Sequence, residues 1–189
     1  MKYERLITRH SSLIMNRVVV ALGSNVNKEE NLPAAVRLLA QLCHLVAVSS
    51  VYETAAAGRP DQPTFFNAAV LVETELDAAH FKAEVLDQVE RQLGRERTAD
   101  KNAPRTIDAD LILFNEEVFD LGTRHVPDPD LLQYLHVAVP VAEVAPDLLH
   151  PETGESLAHV AGRLLAEIAP THDPAALIRR YDDVRLKTP

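Results

Sequence analysis

Two carboxylates lie two residues apart in the stretch KNAPRTIDADLILF, which covers residues 101–114. Asp108 and Asp110 interrupt apolar residues that alternate as in a β-strand. Because alternate residues of a strand share a face, both carboxylates should project to one side, together with Ile112 and Phe114. The opposite face should pack in the core, and it carries Ile107, Ala109, Leu111 and Leu113. Burying an unpaired carboxylate is costly, so this strand end is either solvated or holds a cation.

A pair of hard oxygen ligands is the kind of donor set that Mg²⁺ uses in proteins, usually together with the phosphates of a substrate. The spacing of Asp108 and Asp110 therefore makes them candidate magnesium ligands. The alternative is an exposed strand end in which Asp108 forms an ion pair with Arg105, with no metal at all.

A basic segment directly precedes the acidic pair. The window 91–105 holds five basic residues against two acidic ones, in a chain of net charge −9. The five are Arg91, Arg95, Arg97, Lys101 and Arg105. Cations for phosphate oxygens and carboxylates for Mg²⁺ are the two components of a phosphoryl-transfer site. The sequence lacks G-x-x-x-x-G-K-[ST] and G-x-G-x-x-G, so side chains would have to hold a nucleotide. The alternative is that these basic residues bind no ligand and lie at a solvated helix end and in the loop that follows it.

The composition limits the class of protein. A chain of 189 residues with 47% hydrophobic and 25% charged residues fits one globular domain. The net charge of −9 argues against nucleic-acid and anionic-membrane partners. A single cysteine, Cys43, excludes an intrachain disulfide and fits the cytoplasm. No apolar run is long enough to span a bilayer or serve as a signal peptide.

We expect a disordered extension at 1–16, one domain at 17–169 and a loosely attached tail at 170–189.

The pattern of hydrophobic residues and turn signals predicts the elements that carry these side chains. Their order is βαββαβ, which is typical of a ferredoxin-like α+β sandwich with an antiparallel sheet and helices on one face. Further helices are predicted near 137–144 and 156–168. The predicted elements are strands at 17–22, 45–54, 67–75 and 106–114, helices at 31–43 and 77–93, and an edge strand or hairpin at 115–120.

Several motifs occur in one unbroken order and resemble a known family. They are ALGSN (21–25), SSVYET (49–54), DQP (61–63), FFNAAV (65–70), VERQLGRER (89–97), APRTIDADLILF (103–114) and AEVAPDLLHP (142–151). Over about residues 17–160 the chain is similar to the 6-hydroxymethyl-7,8-dihydropterin pyrophosphokinases of folate biosynthesis. The resemblance implies a ferredoxin-like fold and transfer of pyrophosphate from ATP to the pterin hydroxymethyl group, with release of AMP. It also implies two Mg²⁺ ions, and we expect a monomer whose partners are these small molecules.

The resemblance also implies roles for individual residues. The metal ligands would be Asp108 and Asp110. The catalytic residues would be these two with Arg97 and Arg105. ATP would contact Glu90, Arg95, Arg97, Lys101 and Arg105. The pterin would contact Thr54, Ala55, Ala56, Gly58, Phe65, Asn67 and His136.

The chain departs from the family pattern in HVPDPDLLQYLHV, residues 125–137. Asp128 stands where the family has His, Tyr134 where it has Arg, and His136 where it has an aromatic residue, commonly Phe. These changes remove two contacts to ATP phosphates and replace a stacking ring by an imidazole. The leading hypothesis is a working pyrophosphokinase. The alternatives are a divergent member that binds nucleotide or pterin with an altered substrate or without catalysis, and a structural interaction module.

Overall fold

The computed structural model describes residues 15–56, 59, 61–96, 100 and 103–186. Its main sheet has six antiparallel strands. They are β1 (Asn16–Ser24), β2 (His44–Val48), β3 (Val51–Thr54), β4 (Phe65–Thr74), β5 (Asp108–Phe114) and β8 (Arg179–Tyr181). The strand order is β5-β1-β4-β3-β8, and β2 pairs with β4. Two short strands, β6 (Phe119–Leu121) and β7 (Arg124–Val126), form a separate hairpin.

Helices cover both faces of this sheet. They are α1 (Lys28–Leu42), α2 (Ala78–His80), α3 (Asp87–Gln92), α4 (Leu135–Val144), α5 (Leu157–Ile168) and α6 (Pro174–Leu177). A π-helical segment, Phe81–Leu86, joins α2 to α3, and a 3₁₀ turn, Pro129–Leu132, precedes α4. The side chain of Asp77 accepts a hydrogen bond from His80 N and caps the start of α2. Gly94 follows α3 at φ +69°, a conformation that glycine adopts without steric cost.

Two apolar clusters lie on opposite faces of the sheet. The first packs α1 and the segment 78–93 against Val18, Val20 and Leu22, and the second packs α4 and α5 against Val19 and Ala69. Because both faces are covered, successive residues of β1 are buried, with Val18, Val19 and Val20 no more than 1% exposed. This explains the unbroken apolar run VVVAL at residues 18–22. The predicted ferredoxin-like α+β fold is confirmed.

The predicted single strand at 45–54 is wrong, because it breaks at Ser49 and Ser50. Ser49 N donates a hydrogen bond to the Ala69 carbonyl oxygen, but the return bond from Ala69 N goes to the Ser49 hydroxyl instead of its carbonyl oxygen. Ser50 donates from both its backbone N and its hydroxyl to Glu143 of α4. Serine side chains that bond to the backbone compete with regular strand pairing, so two strands replace one.

The predicted alternation of the Asp108 strand holds only in its first half. Val20 pairs with Leu111 and Val19 with Leu113, so the register shifts by one residue at this point. The irregularity turns Phe114 into the layer beneath α1 and Leu113 into the layer beneath α4, the reverse of the prediction. Asp108 and Asp110 precede it and share a face as expected.

The C-terminal segment, predicted as a loose tail, carries α6 and β8 in the structure. Strand β8 pairs with the outer edge of β3, Ile178 is buried, and the Tyr181 ring lies 4.5 Å from the Phe66 ring. Two apolar side chains therefore attach a segment whose local pattern shows little periodicity. The predicted extension at 1–16 lies outside the described residues as far as residue 14, and Asn16 begins β1. None of the helices in the described ranges combines the length and apolarity needed to cross a membrane.

Candidate active site

A cavity of about 600 Å³ opens beside the ends of β1, β3, β4 and β5. It brings together most of the residues that the sequence singled out. Those that line it are Thr54, Ala55, Ala56, Phe65, Asn67, Arg105, Asp108, Asp110 and His136. The residues come from four separate parts of the chain, so tertiary structure alone assembles them.

The cavity floor is set by the register of three neighbouring strands. Gly23 of β1 pairs with Asn67 of β4 on one side and with Asp108 of β5 on the other. At about 4.8 Å between neighbouring strands, the Asn67 and Asp108 backbones lie about 10 Å apart. A Cβ on Gly23 would lie 3.7 Å from Asn67 Oδ1 and 4.0 Å from the Phe65 ring. Glycine therefore leaves open the floor between an amide and a carboxylate.

The Asn67 end of the cavity is neutral. The Asn67 amide nitrogen donates to Thr54 Oγ1 at 3.0 Å and to the Tyr52 carbonyl oxygen at 3.3 Å. These bonds fix the amide plane and leave its carbonyl oxygen on the Gly23 side, as an acceptor. This end can recognise a polar edge that donates hydrogen bonds.

The Asp108 end is strongly charged. Asp108 forms a close ion pair with Arg105, and Arg95 Nη2 lies 3.7 Å from Asp108 Oδ1. Asp110 has a different partner, since Arg124 Nη2 lies 3.1 Å from its Oδ1. Burial and the neighbouring charge of Asp108 raise the pKa of Asp110 to about 6. Two crowded carboxylates surrounded by guanidinium groups form a site for cations and phosphate oxygens.

Asn25 holds the Arg105 backbone in place. Its side-chain oxygen accepts from Arg105 N at 2.8 Å, and the backbone nitrogens of Asn25 and Val26 donate to the Arg105 carbonyl oxygen. The Asn25 amide nitrogen also lies 3.3 Å from Gln62 Oε1. Asn25, the last residue of the ALGSN motif, thus connects both Arg105 and the DQP loop to the end of β1. The Arg105 guanidinium then lies 5.8 Å from the centre of the Phe65 ring.

Not every predicted site residue lines the cavity. Glu90 is buried in α3, where its Oε1 accepts a hydrogen bond from Ala109 N at 3.1 Å. Arg95 approaches Asp108 but is not among the residues that line the cavity. Within the described ranges, its buried Nε has no hydrogen-bond partner. The predicted contacts of Gly58, Arg97 and Lys101 lie outside the described residues.

The divergent segment 125–137 contributes to the same cavity. Asp128 N donates to the Ile112 carbonyl oxygen at 2.9 Å, which places the buried Asp128 carboxylate beside β5. Burial raises the pKa of Asp128, and Arg124 Nη1 lies 3.6 Å from its Oδ2. The His136 ring lies 5.4 Å from the Tyr134 ring, and burial lowers the pKa of His136. A neutral imidazole is therefore the ring that this chain presents to the cavity.

The chain is similar in sequence to proteins of known activity. The model of the family described as 7,8-dihydro-6-hydroxymethylpterin-pyrophosphokinase (HPPK) matches residues 19–146. The 2-amino-4-hydroxy-6-hydroxymethyldihydropteridine pyrophosphokinase of Bacillus subtilis is 40% identical over 134 residues, covering 69% of this chain and 79% of that protein. The chain belongs to the HPPK family. The enzyme of the same name from Haemophilus influenzae is 36% identical, covering 71% of this chain and 84% of that protein.

Solved structures agree on the fold. The wild-type HPPK-DHPS of Plasmodium falciparum, crystallised with pterin and p-hydroxybenzoate, superposes with a TM-score of 0.69 at 12% identity. The match covers 88% of this chain and 45% of that one, so this chain spans less than half of the Plasmodium protein. The activity of the family is ATP-dependent transfer of pyrophosphate to hydroxymethyldihydropterin, and the predicted enzyme class is confirmed.

The residues present fit the magnesium that the family implies. Asp108 and Asp110 offer carboxylate oxygens on one strand face, and their mutual repulsion is a reason for the raised pKa of Asp110. A divalent cation between them would relieve that repulsion. The described residues hold no cluster of three or more acidic, histidine or cysteine ligands. Such a donor set suits an ion that takes its remaining ligands from water and substrate phosphates.

Sequence reasoning gave no role to several residues near the site. Arg59, Gln62 and Leu177 line the cavity, and Arg124 pairs with Asp110. The DQP motif contained Gln62 but gave it no role. Leu177 had no local signal, because its place depends on the pairing of β8 with β3.

Proposed function

We propose that this cavity is where the chain carries out the pyrophosphoryl transfer of its family, with the pterin at the Asn67 end and the triphosphate at the Asp108 end. The observation that carries the proposal is the register that sets Gly23 between Asn67 and Asp108. It places an amide for a heterocycle edge and a carboxylate for a metal–phosphate group about 10 Å apart. That is the span of a compact acceptor and the phosphate it receives.

The pterin subsite would be formed by residues of three elements. The Asn67 carbonyl oxygen accepts from the amino and ring N–H groups of a pterin edge, while Thr54 fixes the amide. The Ala55 and Ala56 backbone, Phe65 and His136 line the same space. A neutral His136 ring offers a flat face without bringing a positive charge to the uncharged heterocycle.

The triphosphate subsite would be formed by the basic residues around the carboxylate pair. Arg105 and Arg95 already lie at Asp108, and their guanidinium groups can turn to phosphate oxygens once a metal neutralises the carboxylates. Arg97 and Lys101 join them in the proposal on the strength of the family motif. We propose that Asp108 and Asp110 hold two Mg²⁺ ions, which would supply neutralisation of the negative charge on the phosphates.

In the reaction, the pterin hydroxymethyl oxygen forms a bond to the β-phosphorus of ATP while the bond from that phosphorus to the α,β-bridging oxygen breaks. AMP leaves with the bridging oxygen, and the hydroxyl proton is released to solvent. The protein's own contribution is to hold the acceptor hydroxyl in line and to stabilise negative charge with Arg105 and Arg95. Glu90 supports this arrangement by holding the peptide between the two aspartates.

A second candidate is a family member that binds nucleotide or pterin without efficient catalysis or with another acceptor. The buried Asp128 favours it, because a negative charge beside Asp110 adds to the repulsion that a triphosphate meets. Arg124 lies within 4 Å of both carboxylates and offsets part of that charge. The retained arginines and aspartates make the working enzyme the better-supported proposal.

The deciding experiment is an assay for AMP with purified protein, Mg²⁺, ATP and 6-hydroxymethyl-7,8-dihydropterin. We expect AMP and the pterin pyrophosphate in equal amounts, and a loss of at least about a hundredfold in rate for Asp110→Ala. Asp147→Ala, at an exposed position outside the cavity lining, should leave the rate unchanged. ATP binding by calorimetry without AMP formation would support the second candidate instead. A monomeric state, a cytoplasmic location and the lack of a nucleic-acid partner stay predictions.

A further inference from the structure

The cavity has a wall that lies outside the part of the chain matched by the family model. The match ends at residue 146, yet Ile168, Ala176 and Leu177 line the cavity together with Asn67 and His136. These three apolar residues come from the end of α5 and from α6. The segment 168–181 therefore reaches back to a site whose other residues belong to the matched region.

Strand pairing brings Leu177 to the acceptor end of the cavity. In the β3–β8 ladder, Val51 pairs with Tyr181, Tyr52 with Arg180 and Glu53 with Arg179. Leu177, the last residue of α6, lies two residues before this ladder on one side, and Ala55 lies two residues after it on the other. Ala55 and Leu177 both line the cavity, on the side where Thr54 holds the Asn67 amide.

The segment is anchored on both sides of Leu177. Ile178 is buried in the cluster beneath α4 and α5, and the Tyr181 ring packs against Phe66 in the opposite layer. Arg179 forms an ion pair with Glu53, whose carboxylate also binds Lys28 and Thr64. Before it, Asp173 caps α6 by accepting from Ala175 N at 3.0 Å. Leu177 itself keeps 39% of its surface exposed, although its neighbour Ile178 is buried.

We infer that Leu177 is an acceptor-binding residue and that the segment 168–181 forms an apolar wall of the pterin subsite. This inference rests on the proposed function. A pterin has flat apolar faces and a polar edge, so a subsite that binds the edge through Asn67 gains from apolar contact with the faces. An imidazole, His136, replaces the usual aromatic residue, and the Leu177 side chain adds apolar surface that the matched region does not supply.

The test compares full-length wild type with Leu177→Ala, Leu177→Met and Leu149→Ala. Leu149 is a matched control, since it is exposed and lies outside the cavity lining. Binding of 6-hydroxymethylpterin is measured by calorimetry in the presence of Mg²⁺ and α,β-methylene-ATP, and binding of α,β-methylene-ATP is measured alone. Turnover with the dihydropterin gives KM and kcat.

We expect Leu177→Ala to weaken pterin binding about three- to tenfold and to raise the pterin KM in proportion. Nucleotide affinity and kcat should not change, Leu177→Met should restore binding, and Leu149→Ala should match wild type. Unchanged pterin affinity in Leu177→Ala overturns the inference, as does an equal loss for pterin and nucleotide, which would indicate a purely structural role. These results would leave the proposed function intact, whereas a wild type that forms no AMP overturns the proposed function itself.

Discussion

Glu90 accepts a hydrogen bond from the backbone N–H of Ala109 at 3.1 Å, and only 3% of Glu90 is exposed. Ala109 is the residue between Asp108 and Asp110. A buried side chain of α3 therefore holds the peptide that sets the separation and direction of the two carboxylates. The resemblance to the family implies a contact of Glu90 with ATP, which stays a prediction, and in the structure Glu90 bonds to the β5 backbone and is not among the residues that line the cavity.

Glu90→Ala should weaken both the fold and the reaction. Removing the acceptor leaves the Ala109 N–H buried and unpaired, which costs about 1–3 kcal/mol. We also expect kcat to fall at least about tenfold, because the two carboxylates lose a fixed spacing. Glu90→Gln keeps an acceptor oxygen and should retain more stability and activity than Glu90→Ala.

Urea unfolding measures the loss of stability, and AMP release measures the loss of activity. Wild-type kcat in Glu90→Ala would contradict the positioning role, and Glu84→Ala, exposed on the same helical segment, is the control.

Arg124→Gln should lower the Mg²⁺ concentration needed for half-maximal binding of α,β-methylene-ATP. Arg124 Nη2 lies 3.1 Å from Asp110 Oδ1, so its charge opposes a second cation at that carboxylate. The side chain is half exposed, and such pairs contribute about 0.2–1 kcal/mol, which corresponds to about a 1.4- to fivefold change. Calorimetric Mg²⁺ titrations measure it. A higher Mg²⁺ requirement would instead indicate that Arg124 binds the triphosphate. Arg163→Gln removes a surface ion-pair arginine of α5 and should have no effect.

Gly23→Ala should fold normally and bind the pterin less tightly. A Cβ at this position would meet Asn67 Oδ1 at 3.7 Å and the Phe65 ring at 4.0 Å, which are ordinary contact distances. The methyl group would nevertheless occupy the floor between Asn67 and Asp108. We expect a melting temperature close to wild type and a pterin KM raised at least about fivefold. An unchanged pterin KM would show that the acceptor does not lie against the cavity surface at Gly23. Gly162→Ala, in α5 with open space around it, serves as the matched control.

The Glu53 carboxylate makes part of the stability dependent on pH. Hydrogen bonds from Thr64, Lys28 and Arg179 lower its pKa to about 2, from a reference value of 4.5. A carboxyl whose pKa is lower in the folded state contributes stability above its unfolded pKa and loses it as the pH falls through the folded pKa. The stability difference between wild type and Glu53→Gln should therefore be constant above about pH 5 and shrink steadily toward pH 2. Urea unfolding between pH 7 and pH 3 measures this difference. A difference independent of pH would contradict the assignment, and Glu75→Gln, at an exposed position, should show no such trend.

Apart from the break of the second predicted strand at Ser49 and Ser50, the order βαββαβ could be predicted from the sequence, as could the common face of Asp108 and Asp110, because both depend on local properties. Alternation along one strand sets the side to which neighbouring residues project. A long apolar periodicity, as in α1 and in the segment 78–93, specifies a helix wherever its partner lies. The family motifs likewise lie within single elements, so their order along the chain could be followed without knowing the register between them.

Tertiary structure alone decided the features that depend on pairing between distant segments. The irregularity between Leu111 and Leu113 arises from packing against β1 and reversed the faces of Leu113 and Phe114. Strand register placed Asn67 and Asp108 on either side of Gly23. Edge pairing with β3 brought Leu177 to the cavity. The amino-acid types at these positions determined which chemical groups are available. The register between distant strands decided which of these groups meet. That register is stabilised by burying the apolar clusters on both faces of the sheet at once, so no local sequence pattern specifies it.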